Sequence, residues 1–546
     1  MFNIIIMDTN DYVSAILSYY HRKARGKESL DMGDIRVTGN TFEFIGQMPL
    51  WIPIVQKLRI RDIVDSFCPM ERHNPQGLTH GEVFESLVYN RLSSPRPMYK
   101  VEKWAAENSF NALFGIDPGK LNDDRIARTL DMVAHKTDEI QGALSLKMME
   151  EFGISPDTVH YDITSLSFEG NYEESEIVKF GYSRDKRPDL KQVNLSLDVT
   201  RDGAIPLWSS ILEGNMSDVK TVVNNMKNLQ KHIKIKDYVT IMDRGMVSGD
   251  NIHSLMDKGV GFVTAIPLKG KTVELILDTD DEDYSSIEYT DRSGEDNIQA
   301  TRCFVEFRTN KVKRGRSKIF FRVPGYIYHS SRKRKRDRTA REKGIGKIVE
   351  ILDDISAKLN TRKYKNRDYV VTQIEKKIGR KKARSLFRWE LTGNDGELNF
   401  KYWLDEESLK RAEALDGKYI LATDDENRSA DDVLKSYKSQ YSVEWRFRHL
   451  KSNLRVSPLF LKKDIRIIAL VFVTIIALMV YSLLEYLCQK AKLKQTAFIL
   501  TRSFGVCIFS RLRFSNGASL YVAADPSPFQ KWVLDSLGFP YPREYI

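Results

Sequence analysis

The segment 437–451, YKSQYSVEWRFRHLK, combines side-chain types that phosphodiester chemistry requires. At about 100° per residue, a helix would place its apolar residues on a buried stripe and a polar set on the neighbouring arc. A metal-bound phosphodiester needs an acid for the metal and cations for the phosphate. The alternative is an ordinary amphipathic helix whose charges meet at i,i+3 and i,i+4 spacing. The polar set consists of Tyr437, Gln440, Glu444, Arg448 and Lys451.

Two further carboxylates occupy positions where a sheet could hold a ligand. The stretch 159–168 alternates like a strand and places Asp162 in its interior, where an aspartate is unfavourable and asks for a reason. The short apolar run 238–242 leads directly into Asp243 and Arg244. A carboxylate at the carboxyl end of a buried strand is where α/β sheets hold their ligands. Asp162 and Asp243 are therefore candidate site residues beside Glu444.

The predicted elements after residue 156 follow the order βββαβα, with an antiparallel meander first. This is the RNase H-like arrangement, with acids on the first strand, after the fourth strand and on a late helix. The predicted fold class is mixed α/β. The predicted divisions are a leader (1–40), a helical N-terminal domain (41–155), a first core part (156–269), a basic insertion domain (270–410), a second core part (411–490) and a C-terminal tail (491–546).

Composition restricts the class of protein. The chain has 546 residues, of which 42% are apolar and 29% charged, so several domains with a sizeable core are expected. The formal net charge of +11 favours a polyanionic partner, nucleic acid first. The four cysteines are far apart and show no metal-finger spacing, as expected in a reducing cytosol. The first residues lack the features of a signal peptide.

One apolar segment, 467–484, has two interpretations. It contains eighteen residues without a charge, which is the lower limit for a membrane span. The same composition is typical of a helix buried on all sides in a large α/β core. We favour the buried helix, because a membrane span here would draw Glu444 to the bilayer surface.

The flanking regions indicate contact with DNA, each with a plainer alternative. The region 41–155 could be a helical module that reads DNA ends, or a helical packing domain. The insertion carries basic clusters at 311–318, 332–338 and 376–384, which could neutralise phosphates or form a solvated surface. The tail shows no usable motif. The candidate DNA-binding residues of the second cluster are Arg332, Lys333, Arg334, Lys335 and Arg336.

With these motifs in place, the sequence resembles the DDE transposases of bacterial and archaeal insertion sequences. The resemblance is to the branch with a Y-x2-R-x3-E-x6-K signature, read here as Tyr437, Gln440, Glu444 and Lys451, with Gln440 in place of the arginine. Similar segments are YDITSLSFEG around Asp162, GYSRDKRPDLKQ at 181–192, ILEGNMSD at 211–218 and MDRGMVSGDNI at 242–252. The resemblance covers about 156–487, and a weaker one covers 42–150.

The resemblance implies an RNase H-like catalytic core that is interrupted by a β-rich insertion domain. Asp162, Asp243 and Glu444 would bind two Mg²⁺ ions, for which Mn²⁺ can substitute, as hard cations favour carboxylate oxygens. Tyr437 and Lys451 would hold phosphates near the scissile bond. The implied partners are terminal inverted repeats and target DNA, with a homodimer in the synaptic complex and no membrane. The implied location is the nucleoid of a prokaryotic cytoplasm.

Two functions therefore compete. The first is a transposase that cuts element ends and transfers strands. The second is a catalytically decayed copy that only binds DNA, an alternative that depends on Gln440, which lacks the charge and the forked donors of an arginine.

Overall fold

The computed structural model describes residues 37–545 except 71–76, 290–293, 295, 311–317, 457–460, 516 and 518. The predicted leader and the basic cluster 311–318 therefore lie almost wholly outside the described residues. The described part is a mixed α/β structure, about half helix and one fifth strand, as predicted.

A group of helices follows strand β1 (Val37–Phe44) and builds the N-terminal region. Trp51, Phe84 and Trp104 are fully buried in its core. The third helix begins with a capping box, in which Thr79 and Glu82 each accept the other's backbone N–H. The helices are α1 (Met48–Leu58), α2 (Ile60–Phe67), α3 (His80–Ser93), α4 (Val101–Glu107), α5 (Phe110–Phe114), α6 (Asp123–Ala134) and α7 (Thr137–Phe152).

A nine-stranded sheet forms the centre of the molecule. Strands β2 (Thr158–Phe168), β3 (Lys191–Thr200) and β4 (Pro206–Glu213) form the predicted antiparallel meander. Strands β5 (Val239–Met242) and β6 (Gly261–Ile266) continue the sheet on the other side of β2, both parallel to it. The spatial order is β4-β3-β2-β5-β6, so the strand that carries Asp162 is central. Helices α8 (Val222–Asn228) and α9 (Gly249–Asp257) connect β4 to β5 and β5 to β6.

The insertion enlarges this sheet. After α10 (Lys271–Leu277), the strands β7 (Ser285–Ser286), β8 (Ile298–Arg308) and β9 (Phe320–Ser330) form an antiparallel series. They join the core through β12 (Lys418–Thr423), which pairs with β6 on one side and β9 on the other. The first strands of the insertion therefore extend the same sheet, and the chain leaves it only between β9 and β12.

The predicted insertion, 270–410, is β-rich only in its first part, which contributes β7, β8 and β9, whereas the rest is largely helical. Its largest elements are two helices, α11 (Ser331–Lys358) and α12 (Arg367–Ile378), beside a short hairpin, β10 (Phe387–Thr392) and β11 (Asn399–Leu404), and helix α13 (Glu406–Ala414). The dense charges of α11 hide its buried residues, which recur at helical spacing and fill a second, separate core. These buried residues are Ile348, Leu352 and Ile355.

The predicted single helix that carries Glu444 is divided into α14 (Ala430–Lys438) and α15 (Tyr441–Ser452). At the break, the N–H groups of Gln440 and Val443 donate to carbonyls three residues earlier, as in a tight turn. The cause is tertiary, because Ser439 and Gln440 turn their side chains towards a histidine of β2.

Helix α16 (Asp464–Lys490) is the apolar segment that had two interpretations. Within the described residues it is the one helix long and apolar enough to cross a membrane, with a mean hydropathy of 2.8 in its most apolar window. However, 94% of that window is buried inside the protein, as expected for a core helix. Phe472 packs on Phe84 with ring centroids 5.7 Å apart, and Arg466 forms an ion pair with Asp131 at 2.7 Å.

The C-terminal tail is more structured than its sequence indicated. Helix α17 (Ala497–Phe504) leads into β13 (Ile508–Phe514) and β14 (Ser519–Ala523), and α18 (Pro528–Leu537) follows. Strand β13 lies between β1 and β14 in a three-stranded antiparallel sheet. The tail therefore completes the N-terminal region.

Candidate active site

Asp162 lies in the middle of β2, half-buried, in a strand that is paired on both sides. One of its carboxylate oxygens accepts the N–H of Ile163 at 2.7 Å. Burial raises the pKa of Asp162 to about 7, and the charges of Asp243 and Glu444 add to this increase.

Asp243 and Glu444 approach this carboxylate from neighbouring elements. Asp243 follows the last residue of β5, and Met242 at that end pairs with Tyr161, the residue before Asp162. Glu444 lies in the first turn of α15, and its exposed side chain forms no hydrogen bond or ion pair with the described residues. Asp243 and Glu444 therefore each lie near enough to Asp162 for their charges to act on it.

The three carboxylates do not form a closed ligand set. Among the described residues, no group of three or more His, Cys, Asp or Glu side chains is gathered closely enough to hold a metal ion. Like charges that face one another without a cation repel. The chemistry of the donors nevertheless fits a hard divalent cation, since all three are carboxylates and Asp162 carries a proton more readily than usual.

Tyr437 is directed at an acid. Its hydroxyl lies 3.4 Å from Oδ1 of Asp243, which also accepts the N–H of Arg244 at 2.8 Å. Burial raises the pKa of Tyr437, and the charge of Asp243 raises it further. The phenol is therefore a neutral donor that orients Asp243.

Gln440 joins α15 to β2 beside Asp162. Its Nε2 donates to the carbonyl of Tyr161 at 3.0 Å, and its Oε1 lies 3.1 Å from Nδ1 of His160. Nε2 of His160 lies 3.1 Å from the hydroxyl of Ser439. Burial lowers the pKa of His160 to about 4, so this histidine is neutral near pH 7. Both ends of the Gln440 amide are thus used within the protein.

The cations nearest the acids are mostly paired. Lys451 binds both oxygens of Asp185, at 2.7 and 2.9 Å. Arg184 binds Asp218 at 2.5 Å, and its charge lowers the pKa of Asp162. Sequence reasoning gave no role to Arg184 or Asp185, although both belong to the GYSRDKRPDLKQ segment that carries the resemblance.

Two cations at the site remain exposed. Arg244 follows Asp243, and Arg448 lies one turn after Glu444 with its guanidinium 5.2 Å from the Trp445 ring centre. Arg446, also in α15, is 3% exposed and bonds inside the protein, so it cannot take the place of the missing signature arginine.

The basic cluster of the insertion is not part of this acid site. Arg332–Arg336 form the first turns of α11, which begins where β9 ends. Strand β9 lies four strands from β2, or roughly 19 Å at normal strand spacing. The strands β2, β5, β6 and β9 run in the same direction. Helix α11 therefore begins on the side of the sheet formed by the carboxyl ends of these strands, which is also the side of the acids. Lys333 pairs with Asp337, whereas Arg334, Lys335 and Arg336 are exposed.

Comparisons with known proteins add a partial match. Residues 41–144 match the family described as a domain of unknown function, DUF4277. A structure of a piggyBac transposase synaptic complex with hairpin DNA, from cryo-electron microscopy, aligns with 84% of this chain and 78% of that chain. The aligned residues are 8% identical and the TM-score is 0.37, which does not establish a common fold. No curated protein matches the chain.

Proposed function

We propose that the protein is a DDE transposase that cuts DNA at the ends of its element and transfers the strands into target DNA. The observation that carries this proposal is the approach of Asp243 and Glu444 to Asp162, on which the charges of both act. The strand order β4-β3-β2-β5-β6, antiparallel and then parallel, supports an RNase H-like core.

The three acids would hold two Mg²⁺ ions, or Mn²⁺ in their place. Bound ions of this kind polarise a scissile phosphate and activate the attacking oxygen. The chain's own groups prepare the site. Tyr437 orients Asp243 through its hydroxyl, and Gln440 fixes the start of the helix that carries Glu444.

The DNA would lie along the edge of the sheet that holds the acids. Arg244 and Arg448 are exposed beside them and are available for phosphates. Lys451 forms an ion pair with Asp185 and would have to release it in order to contact a phosphate. The exposed residues of the 332–336 cluster extend this surface. We further propose inverted-repeat ends and target DNA as partners, a homodimer in the synaptic complex, and a prokaryotic nucleoid as the location.

The test is metal-dependent nicking of a supercoiled plasmid that carries the DNA flanking the gene. Asp162→Asn, Asp243→Asn and Glu444→Gln are each expected to lower the rate at least about 100-fold, since each removes a charge from the metal site. Gel-shift affinity for the same DNA should stay within about twofold. The matched control is Asp257→Asn, which changes an exposed acid at the end of α9 and should cut at the wild-type rate.

A Glu444→Gln protein that nicks at the wild-type rate would rule out the proposed site. A wild-type protein that shifts the DNA but never cuts it, with Mn²⁺ supplied, would favour the alternative of a copy that only binds DNA.

A further inference from the structure

The segment 179–187, here named the aromatic loop, exposes two large rings that the proposed function does not use. It lies between β2 and β3 and consists of the two residues before the GYSRDKRPDLKQ motif and the first seven residues of that motif. The side chain of Phe180 is 59% exposed and that of Tyr182 is 84% exposed. Exposed aromatic rings close together mark an interaction site more often than single exposed side chains do.

The backbone that carries these rings is firmly held. Nε2 of Gln192, a fully buried side chain, donates to the carbonyls of Tyr182 at 3.0 Å and Gly214 at 2.9 Å. Gly181 and Gly214 lie back to back, and a Cβ on Gly181 would come within 1.9 Å of the Gly214 carbonyl oxygen. The exposure of Tyr182 is therefore built into the fold rather than being that of a loosely held loop.

The aromatic loop borders the candidate active site. The hydroxyl of Ser165, three residues after Asp162 on β2, donates to the carbonyl of Tyr182 at 3.4 Å. Asp185 in the loop binds Lys451 of α15, the helix of Glu444. The charge of Arg184, also in the loop, acts on Asp162, so the aromatic loop lies near the acids although Ser165 itself is on the opposite face of β2 from Asp162.

The charges around the rings attract a polyanion. Lys186 lies in the aromatic loop, and Lys191 at the start of β3 has its Nζ 5.9 Å from the centre of the Phe180 ring. Arg187 pairs with Asp189 at 2.7 Å and would have to release it to contact a phosphate. Positive charges beside exposed rings are the combination that binds single-stranded nucleic acid, with cations on the phosphates and rings on the bases.

We propose that Tyr182 and Phe180 stack on unpaired DNA bases next to the phosphate that is cut. This inference rests on the proposed function and names the state of its substrate. Only an unpaired base offers a free face to a ring, so the aromatic loop selects DNA whose strands are separated at the cut.

The test measures binding by fluorescence anisotropy, in EDTA, of a dye-labelled single-stranded oligonucleotide and of the matching duplex. Tyr182→Ala is expected to weaken single-strand binding about 5- to 150-fold, the range for one stacked base. Duplex binding should change less than twofold. Tyr182→Phe, which keeps the ring, should retain wild-type affinity. The matched control is Phe42→Ala, which removes a ring that is 66% exposed on β1 and should change neither affinity.

The inference is overturned if Tyr182→Ala binds the single strand as tightly as the wild type, or if single-strand and duplex affinity fall equally. Because binding is measured without metal, the outcome is separate from that of the nicking test. If Tyr182→Ala weakens single-strand binding but the wild-type protein never cuts DNA, the inference about the aromatic loop is supported and the catalytic proposal is refuted. If cutting depends on the acids but Tyr182→Ala binds the single strand as tightly as the wild type, the catalytic proposal is supported and the inference about the aromatic loop is refuted.

Discussion

Asp162 combines two roles that are usually apart, since it belongs to a buried strand and yet faces other acids. In the folded protein its pKa is about 7, against an ordinary value of 3.8. Between these two values the folded state binds more protons than the unfolded state, so stability falls as the pH rises through this range. A bound divalent cation would remove that penalty by replacing the proton.

This gives a prediction about pH and metal. Mn²⁺ is expected to raise the melting temperature more at pH 8 than at pH 6, because below about pH 7 a proton competes for Asp162. Thermal unfolding with and without Mn²⁺ at the two pH values measures this. Asp162→Asn should abolish the difference. An equal metal-induced shift at both pH values would contradict the argument.

At the scale of residues, the sequence led to the three acids but not to their supports. Asp162 and Asp243 could be found because an aspartate in or after a strand is unusual. The role of Gln440 could not be found, since its partners His160 and the Tyr161 carbonyl are about 280 residues away in the chain. The pairing with a neutral histidine gives Gln440 a structural role that its comparison with an arginine did not indicate.

At the scale of elements, α15 is held by one buried cation. Arg446 donates to the carbonyls of Ala204 at 2.8 Å and Gly203 at 2.6 Å, in the turn between β3 and β4, and it pairs with Glu485 of α16. Three elements therefore meet at one side chain, and the position of Glu444 depends on it.

Arg446→Met is predicted to lower the free energy of unfolding by about 3 kcal/mol. It leaves two turn carbonyls and the Glu485 carboxylate without their donor, and the loss of one partner from a buried pair costs about 3–5 kcal/mol. Urea denaturation measures the change. Arg448→Met, on the exposed face of the same helix, should cost less than about 0.5 kcal/mol. Equal losses in the two variants would show that burial of Arg446 does not matter.

Elements whose apolar residues recur with a clear helical or strand period were predictable from the sequence, and elements without such a regular recurrence were not. The strands at Asp162 and before Asp243 were found within two residues of their observed bounds. The 28-residue helix α11 was missed because its first half is mostly charged and its three buried residues lie in the second half. The break before α15 was missed because it follows from contacts with β2 rather than from local preference.

At the scale of the whole molecule, the acids and the exposed first turns of α11 lie on the same side of the sheet, where β5 and β9 end. This arrangement depends on strand directions that the sequence of the insertion did not predict. The opposite edge also carries cations, since Lys234 and Lys236 are exposed just before β5 begins. Exposed cations therefore lie at both ends of the strands. Substitutions at one end or the other can show which of the two sides binds DNA.

The double variant Arg334→Gln/Lys335→Gln is predicted to reduce the dependence of duplex binding on salt. Each lost phosphate contact lowers the slope of log K against log salt by about 0.9, so the slope should fall by about 2. Gel shifts over a salt series measure it. The control Lys234→Gln/Lys236→Gln removes the same charge from the opposite edge and should leave the slope unchanged. Equal slopes in both variants would place the DNA elsewhere.

The pairing of β1 with β13 has a consequence for synthesis. Thr38 bonds to a carbonyl 475 residues further along the chain. At about 5–20 residues per second, a ribosome needs roughly 25–95 s to make that length. The first strand must therefore remain without this partner until residues 508–514 have been made. A product cut short by a frameshift between residues 453 and 507 would keep its acids yet lack the strand that closes its N-terminal region.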